Sequence, residues 1–369
     1  MSAKAIPPYA QIVAALPASV PFVAPEAMER ARGRPFALRL GANESNFGPS
    51  PRAIAAMQEA ATGVQNYADP ENYELRAALA AHHGVAIASI VVGSGIDDLL
   101  GLAVRAFLNP GDVAVTSLGA YPTFNYHAEG YGGRLERVPY RDDRNDIDAL
   151  ADAARRTGAR LVFLANPDNP TGSWYSAAEL AAFRAALPED AVLLLDEAYG
   201  DFAPPGTLPP MASDDPRVIR FRTFSKAHGM AGARIGYAIT APETIAAFEK
   251  IRLHFGVNLV AQAGALASLA DQDYLRSVVE AVAAGREEYA ALARELGLAP
   301  LPSATNFVTI DTGSPDRARA LLAALAARDV FIRMPGAPPL DRCIRVTVGK
   351  PEERAAFAEV LRDVWPTIA

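Results

Sequence analysis

The sequence predicts an α/β fold: a large domain around a mostly parallel sheet, followed by a smaller α+β unit. Continuous apolar or β-rich runs at ARLVFLA (159–165), AVLLLD (191–196) and RVIRFRTF (217–224) alternate with stretches of helical spacing. Runs that lack apolar–polar alternation are what strands covered on both faces look like. Late in the chain a second group of short strands appears, NFVTI (306–310), VFIR (330–333) and CIRVTV (343–348), with helices between and after.

Residues 1–36 are rich in Pro and Ala, have weak periodicity and read as an N-terminal arm. Helical spacing follows at 51–62 and 72–83. The run IVVGS (90–94) breaks at glycine. From Asp97 to Leu108 the spacing places Leu99, Leu100, Ala103, Val104 and Phe107 on one helix face, and Pro110-Gly111 ends it. A strand is expected at Val113 to Ser117, a helix at Ser176 to Leu187, and a long Ala-rich helical stretch over 242–297. These elements divide the chain into an arm (1–36), a large domain (37–270) and a small domain (271–369). There is no internal repeat.

The chain has 369 residues and a net charge of −7, with charges of both signs interspersed. No basic stripe suggests a nucleic-acid surface, and no basic cluster suggests an anionic membrane. The single cysteine, Cys343, excludes an intramolecular disulfide and a cysteine zinc cluster. The N-terminus lacks a charged segment followed by an apolar one, and no apolar run is long enough to span a bilayer. A soluble cytoplasmic protein is expected.

Each of the three long apolar runs ends in polar residues. LVFLA leads into Asn166-Pro-Asp-Asn169-Pro-Thr-Gly172, VLLL into Asp196-Glu-Ala-Tyr199, and VIRFRTF into Ser225-Lys226. In an open α/β sheet, ligands bind outside the carboxyl ends of the strands. If these strands are neighbours, Asn169, Asp196, Tyr199 and Lys226 meet in one crevice. Taken singly, each has a plainer explanation: a turn, a helix N-cap, a packed tyrosine, a solvated lysine. Their occurrence together on successive strands points to a site.

DNPTG, DEAY and SKAHGMAGARIGY, in this order, resemble the fold-type I pyridoxal phosphate-dependent aminotransferases. LGANESNFGPS (40–50), NYADPENYELRAALA (66–80) and IRVTVG (344–349) are similar to further segments of that family. The resemblance runs from about residue 37 to the end and is most like the histidinol-phosphate aminotransferase branch. It implies a large α/β domain with a mostly parallel mixed sheet, a smaller α+β domain and an N-terminal arm. It implies pyridoxal 5'-phosphate as cofactor and transfer of an amino group to a 2-oxo acid by a ping-pong cycle. An alternative on the same fold is a lyase, such as a decarboxylase of an amino-acid phosphate.

Carried over residue by residue, the resemblance implies that Lys226 is the Schiff-base lysine and proton carrier. Asp196 pairs with the pyridine nitrogen, while Tyr199 and Asn169 donate to the ring's phenolic oxygen. Ser225, Arg234 and the helix start at Gly95, Ile96 and Asp97 hold the phosphate. Tyr121 stacks on the ring, with Phe124 as the alternative aromatic. Tyr67 reaches the cofactor phosphate of the neighbouring subunit, which implies a homodimer with shared active sites. Arg345 grips the substrate carboxylate with Asn43 nearby, and Arg333 is placed to contact a substrate phosphate. His254-Phe255 replaces the branch's usual Pro-Tyr, and Phe22 lacks the hydroxyl of a tyrosine. Histidinol phosphate and an aromatic or other amino acid are therefore both candidate donors. His228 is expected to be a core histidine.

Overall fold

A computed structural model of the protein describes residues 7–16 and 24–368. Twelve strands occur among them: β1 (Leu38–Arg39), β2 (Ile90–Gly93), β3 (Val113–Ser117), β4 (Arg134–Val138), β5 (Leu161–Ala165), β6 (Val192–Asp196), β7 (Val218–Thr223), β8 (Gly236–Ile239), β9 (Ala299–Pro300), β10 (Phe307–Asp311), β11 (Val330–Phe331) and β12 (Cys343–Thr347).

Seven of them form one sheet in the order β2-β8-β7-β6-β5-β3-β4. The five strands from β7 to β4 run parallel, and β8 lies antiparallel to both its neighbours. The sheet is thus mixed and mostly parallel. Its inner strands β3, β5 and β6 are mostly apolar because both faces are covered. Phe163, Leu194 and Phe221 pack with Leu99, Leu100 and Phe124 in one cluster, whereas Val162, Leu164, Leu193 and Leu195 pack with Leu150 and Phe183 in another. Ile90, Val92 and Tyr237 join a third cluster with Leu75, Leu79 and Ala265.

The second sheet is antiparallel, in the order β12-β10-β9. Its apolar residues pack with those of the helices Gln272–Glu295, Pro315–Ala327 and Pro351–Val364. β1 pairs with β11, so the chain just after the arm is tied to the C-terminal half. The arm is not wholly irregular: it contains the helices Gln11–Ala15 and Pro25–Arg32, and Arg32 donates to the Ala326 carbonyl at 3.0 Å.

The helical stretch expected over 242–297 is three helices, Pro242–Glu249, Leu259–Ala270 and Gln272–Glu295. It breaks where Gly256 and Asp271 interrupt it; Asn258 caps the second helix by accepting from the Ala261 N–H at 2.8 Å. β4 and β8 have no counterpart in the sequence reading. β4 is a charged edge strand (RLERV), and β8 has only four residues, too few to show a period. Among the described residues no helix is long and apolar enough to cross a membrane.

Candidate active site

Parallel neighbours end at the same sheet edge. The register pairs Ala165 of β5 with Asp196 of β6, and Asp196 with Phe221 of β7. The loops that follow therefore open into one crevice, a cavity of about 630 Å³ to which the second sheet contributes Arg345 of β12. Its lining includes Lys226, Asp196, Tyr199, Asn169, Ser225 and Arg234. Ile96, Asp97, Tyr121, Asn43, Arg333 and Arg345 line it as well.

Lys226 donates from Nζ to the backbone carbonyl of Asn43 at 2.9 Å. Burial, with the nearby Arg345 charge, lowers its pKa from 10.5 to about 8. Asp196 is 6% exposed, and burial raises its pKa to about 7 against the pull of the Ala198 N–H, which donates to Oδ1 at 2.9 Å. A buried carboxylate with so little local support favours a cationic partner.

Two donors are held with their acceptor sides already engaged. The Tyr199 hydroxyl oxygen accepts from Asn43 Nδ2 at 2.9 Å, which leaves its own hydrogen for another acceptor. Burial pushes the Tyr199 phenol up to about 12, so it stays a donor. Asn169 Oδ1 accepts from Arg345 Nη1, which fixes the amide so that Nδ2 is its remaining donor. Arg345 also donates from Nη2 to the Gly41 carbonyl at 3.3 Å, and its buried Nε has no hydrogen-bond partner among the described residues.

At one end of the cavity the helix Ile96–Phe107 begins, with Gly95 as its N-cap at φ 87°. A Cβ at Gly95 would stand 2.6 Å from Arg234 Nη2, so glycine lets the guanidinium lie against the helix start. Arg234 Nη2 is 3.6 Å from Asp97 Oδ2, and the Tyr121 hydroxyl donates to Asp97 Oδ1 at 3.2 Å. Ser225 N–H donates to Thr223 Oγ1 at 3.0 Å. Free helix N–H groups, a hydroxyl and a guanidinium form a cradle for an anion.

The two aromatic alternatives separate. Tyr121 lines the cavity, whereas Phe124 is fully buried and stacked on Phe163 with centroids 5.0 Å apart. Gly95, expected among the phosphate ligands, does not line the cavity: its N–H donates to the Gly93 carbonyl at 2.8 Å, and its part is to leave room for Arg234. Tyr67 is outside the cavity of its own chain: it is 84% exposed, with its ring 4.8 Å from that of Phe255. His254 is likewise exposed on that surface. His228 is buried, 2.8 Å from Ser268 Oγ through Nδ1 and packed on Phe224. Phe22 lies outside the described residues.

Sequence reasoning missed the loops Gly119–Ala120 and Met334–Ala337, which also line the cavity. It missed Asp168 beneath Asn169, which accepts from the Tyr140 hydroxyl at 3.1 Å and from Thr171 Oγ1 at 2.7 Å. It missed Asn306 and Thr347, which hold Asn43. Asp168 and Thr347 lie inside the DNPTG and IRVTVG segments, but the motifs do not show which groups they hold; for Asn306, Thr347 and the loop Met334–Ala337 only the packing of distant segments brings them here.

A mixed sheet of this order, with a lysine, a carboxylate, a phenol and an amide at its mouth and an anion cradle beside them, defines a fold-type I aminotransferase. Residues 37–361 match the family model for aminotransferase class I and II, and the chain belongs to that family. It is 38% identical over 362 residues to histidinol-phosphate aminotransferase of Roseiflexus castenholzii, covering 95% of this chain and 96% of that one. It is 38% identical over 333 residues to histidinol-phosphate aminotransferase 2 of Ralstonia nicotianae, covering 88% and 87%. A crystal structure of histidinol-phosphate aminotransferase from Sinorhizobium meliloti in complex with pyridoxal-5'-phosphate superposes with a TM-score of 0.96 at 50% identity, covering 99% of this chain and 100% of that one.

Proposed function

We propose that the protein is a pyridoxal phosphate-dependent aminotransferase that moves the amino group between histidinol phosphate and a 2-oxo acid. The observation that carries the reading is the set of four groups, Lys226, Asp196, Tyr199 and Asn169, lining one cavity. The residues present suit the cofactor: Asp196 is a buried carboxylate with unmet demand for a cation, and Gly95 opens the helix start to Arg234.

Pyridoxal phosphate supplies an aldehyde that bonds the substrate amine and a ring that takes up the electron pair left when the neighbouring proton departs. Lys226 would hold it through Nζ and, with that amine free, would take the proton from the amine-bearing carbon of the donor and return it at the former aldehyde carbon of the cofactor. A lysine whose pKa is drawn down to about 8 is partly neutral near pH 7, as a base requires. Asp196 holds a proton on the ring nitrogen. Tyr199 and Asn169 donate to the phenolic oxygen. Ser225, Arg234 and the free N–H groups of Ile96 and Asp97 would take the cofactor phosphate, whereas the Gly95 N–H is committed to the Gly93 carbonyl at 2.8 Å. Tyr121 covers the ring.

Arg333 and Arg345 suit substrates with two anionic ends. One takes the phosphate of the donor, and the pair serves the two carboxylates of an acidic amino acid in the return half-reaction. Asn43 acts through Tyr199 and Lys226, because its side chain is committed to Tyr199 and Thr347.

The reading includes a cytoplasmic homodimer. Tyr67, Leu253 and Phe255 are exposed large apolar side chains, and two of them touch, so a second copy gains by covering them and would receive Tyr67 at its phosphate cradle. It also keeps the arm (1–36), large domain (37–270) and small domain (271–369). The seven-stranded sheet within 90–239 and the second sheet within 299–347 support that division.

A single-turnover panel tests the substrate. The cofactor-loaded protein is mixed with histidinol phosphate, glutamate or an aromatic amino acid, without oxo acid. The fastest turnover is expected with histidinol phosphate, with one carbonyl product per site; preference for an aromatic amino acid would overturn the assignment, and release of CO2 would indicate a lyase.

A further inference from the structure

Asn43 has φ 55°, in the left-handed region, and is 2% exposed. Two residues that do not line the cavity hold it there. Thr347 Oγ1 accepts from the Asn43 N–H at 3.1 Å and donates to Asn43 Oδ1 at 3.2 Å. Asn306 Nδ2 donates to the Asn43 carbonyl at 3.1 Å and to the Glu44 carbonyl at 3.3 Å. Both are 1% exposed. The same Asn43 carbonyl receives Lys226 Nζ, and the Asn43 amide donates to Tyr199.

We propose that Asn306 and Thr347 are positioning residues for proton transfer: they fix the Asn43 carbonyl as the dock that holds the free ε-amine of Lys226. This rests on the aminotransferase reading above. A lysine amine ends a flexible four-carbon stem with large rotamer entropy, so a fixed acceptor narrows where it rests. Left-handed backbone is unfavourable even for asparagine, and the hydrogen bonds from Thr347 and Asn306 offset that cost. Asn306 also keeps the carbonyl satisfied whenever Lys226 nitrogen is engaged elsewhere. Thr347 follows Arg345 by two residues on β12, so both side chains stand on one face of that strand. The strand that presents Arg345 to a substrate anion therefore also sets the dock of the base.

The test compares Thr347→Val, which keeps the shape without the hydroxyl, with Thr347→Ser, which keeps the hydroxyl. One readout is the deuterium isotope effect in the first half-reaction, with deuterium on the amine-bearing carbon. The other is the pH profile of Lys226 acylation by a small reagent in the cofactor-free protein. Thr347→Val is expected to slow the half-reaction by about tenfold, raise the isotope effect and speed Lys226 labelling at neutral pH; Thr347→Ser restores all three. An unchanged isotope effect and labelling profile in Thr347→Val would overturn the proposal, even with a lower melting temperature. If Thr347→Val does not fold, the same readouts on Asn306→Ala decide in the same way. Wild-type protein with no half-reaction at all would instead overturn the aminotransferase reading.

Discussion

Arg333 and Arg345 face each other across a two-way backbone bridge: the Arg345 N–H donates to the Arg333 carbonyl at 2.7 Å, and the Arg333 N–H to the Arg345 carbonyl at 3.2 Å. A hydrogen-bonded antiparallel pair sends both side chains to one face, and both line the cavity. Burial lowers the pKa of each guanidinium, so both gain from an anion. Arg333→Ala is expected to raise KM for a phosphorylated donor by roughly 10- to 100-fold, the equivalent of a charge-assisted hydrogen bond. KM for an aromatic amino acid, which carries neither a phosphate nor a second carboxylate, should change little. Arg345→Ala should impair both donors, since it also releases Asn169. Equal effects of Arg333→Ala on the phosphorylated and the aromatic donor would argue against a phosphate role.

Asp196 makes the cofactor-free protein pH-sensitive. Its pKa rises from 3.8 to about 7 on burial, so the folded state binds the proton more tightly than the unfolded one. Its contribution to stability is present below pH 4 and is lost as pH rises through 7, by about 4 kcal/mol in all. Asp196→Asn cannot ionise. Its melting temperature relative to wild type should climb as pH goes from 4 to 8, while its affinity for the cofactor falls. A constant offset across that range would contradict the assignment.

Gly95→Ala probes the anion cradle. The new methyl would meet Arg234 at a backbone φ of 87° that alanine adopts poorly. Arg234 must swing away, and cofactor affinity should drop by about tenfold or more. Displacement of bound cofactor by inorganic phosphate measures it. Wild-type affinity would place the phosphate elsewhere.

Tyr67 tests the shared site. It does not line the cavity of its own chain, so a loss of cofactor affinity in Tyr67→Ala requires a second copy. Dilution below the dimer dissociation constant should weaken wild-type cofactor binding to the level of the variant. Concentration-independent binding would exclude a shared site.

Much of this was legible in the sequence because the large sheet is buried on both faces, which makes β3, β5 and β6 mostly apolar runs with polar residues at their ends; β7 reads as a strand even with Arg220 and Arg222, which stand beside the buried Glu197. β8 was not legible: four residues after a glycine-rich loop show no period, yet its antiparallel insertion separates β2 from β7. The choice between Tyr121 and Phe124 needed the helix Thr123–Gly130, which turns Phe124 inward onto Phe163. Asn43 was legible as a site residue but its role was not, because Thr347 and Asn306, which decide it, lie 304 and 263 residues away.

The most direct test of the account is where the cofactor bonds. Cofactor-loaded protein is reduced with borohydride, digested and mapped by peptide mass. The account predicts one added pyridoxyl phosphate per chain, on Lys226, and none in Lys226→Ala. A label on any other lysine, or undiminished labelling of the variant, would contradict it.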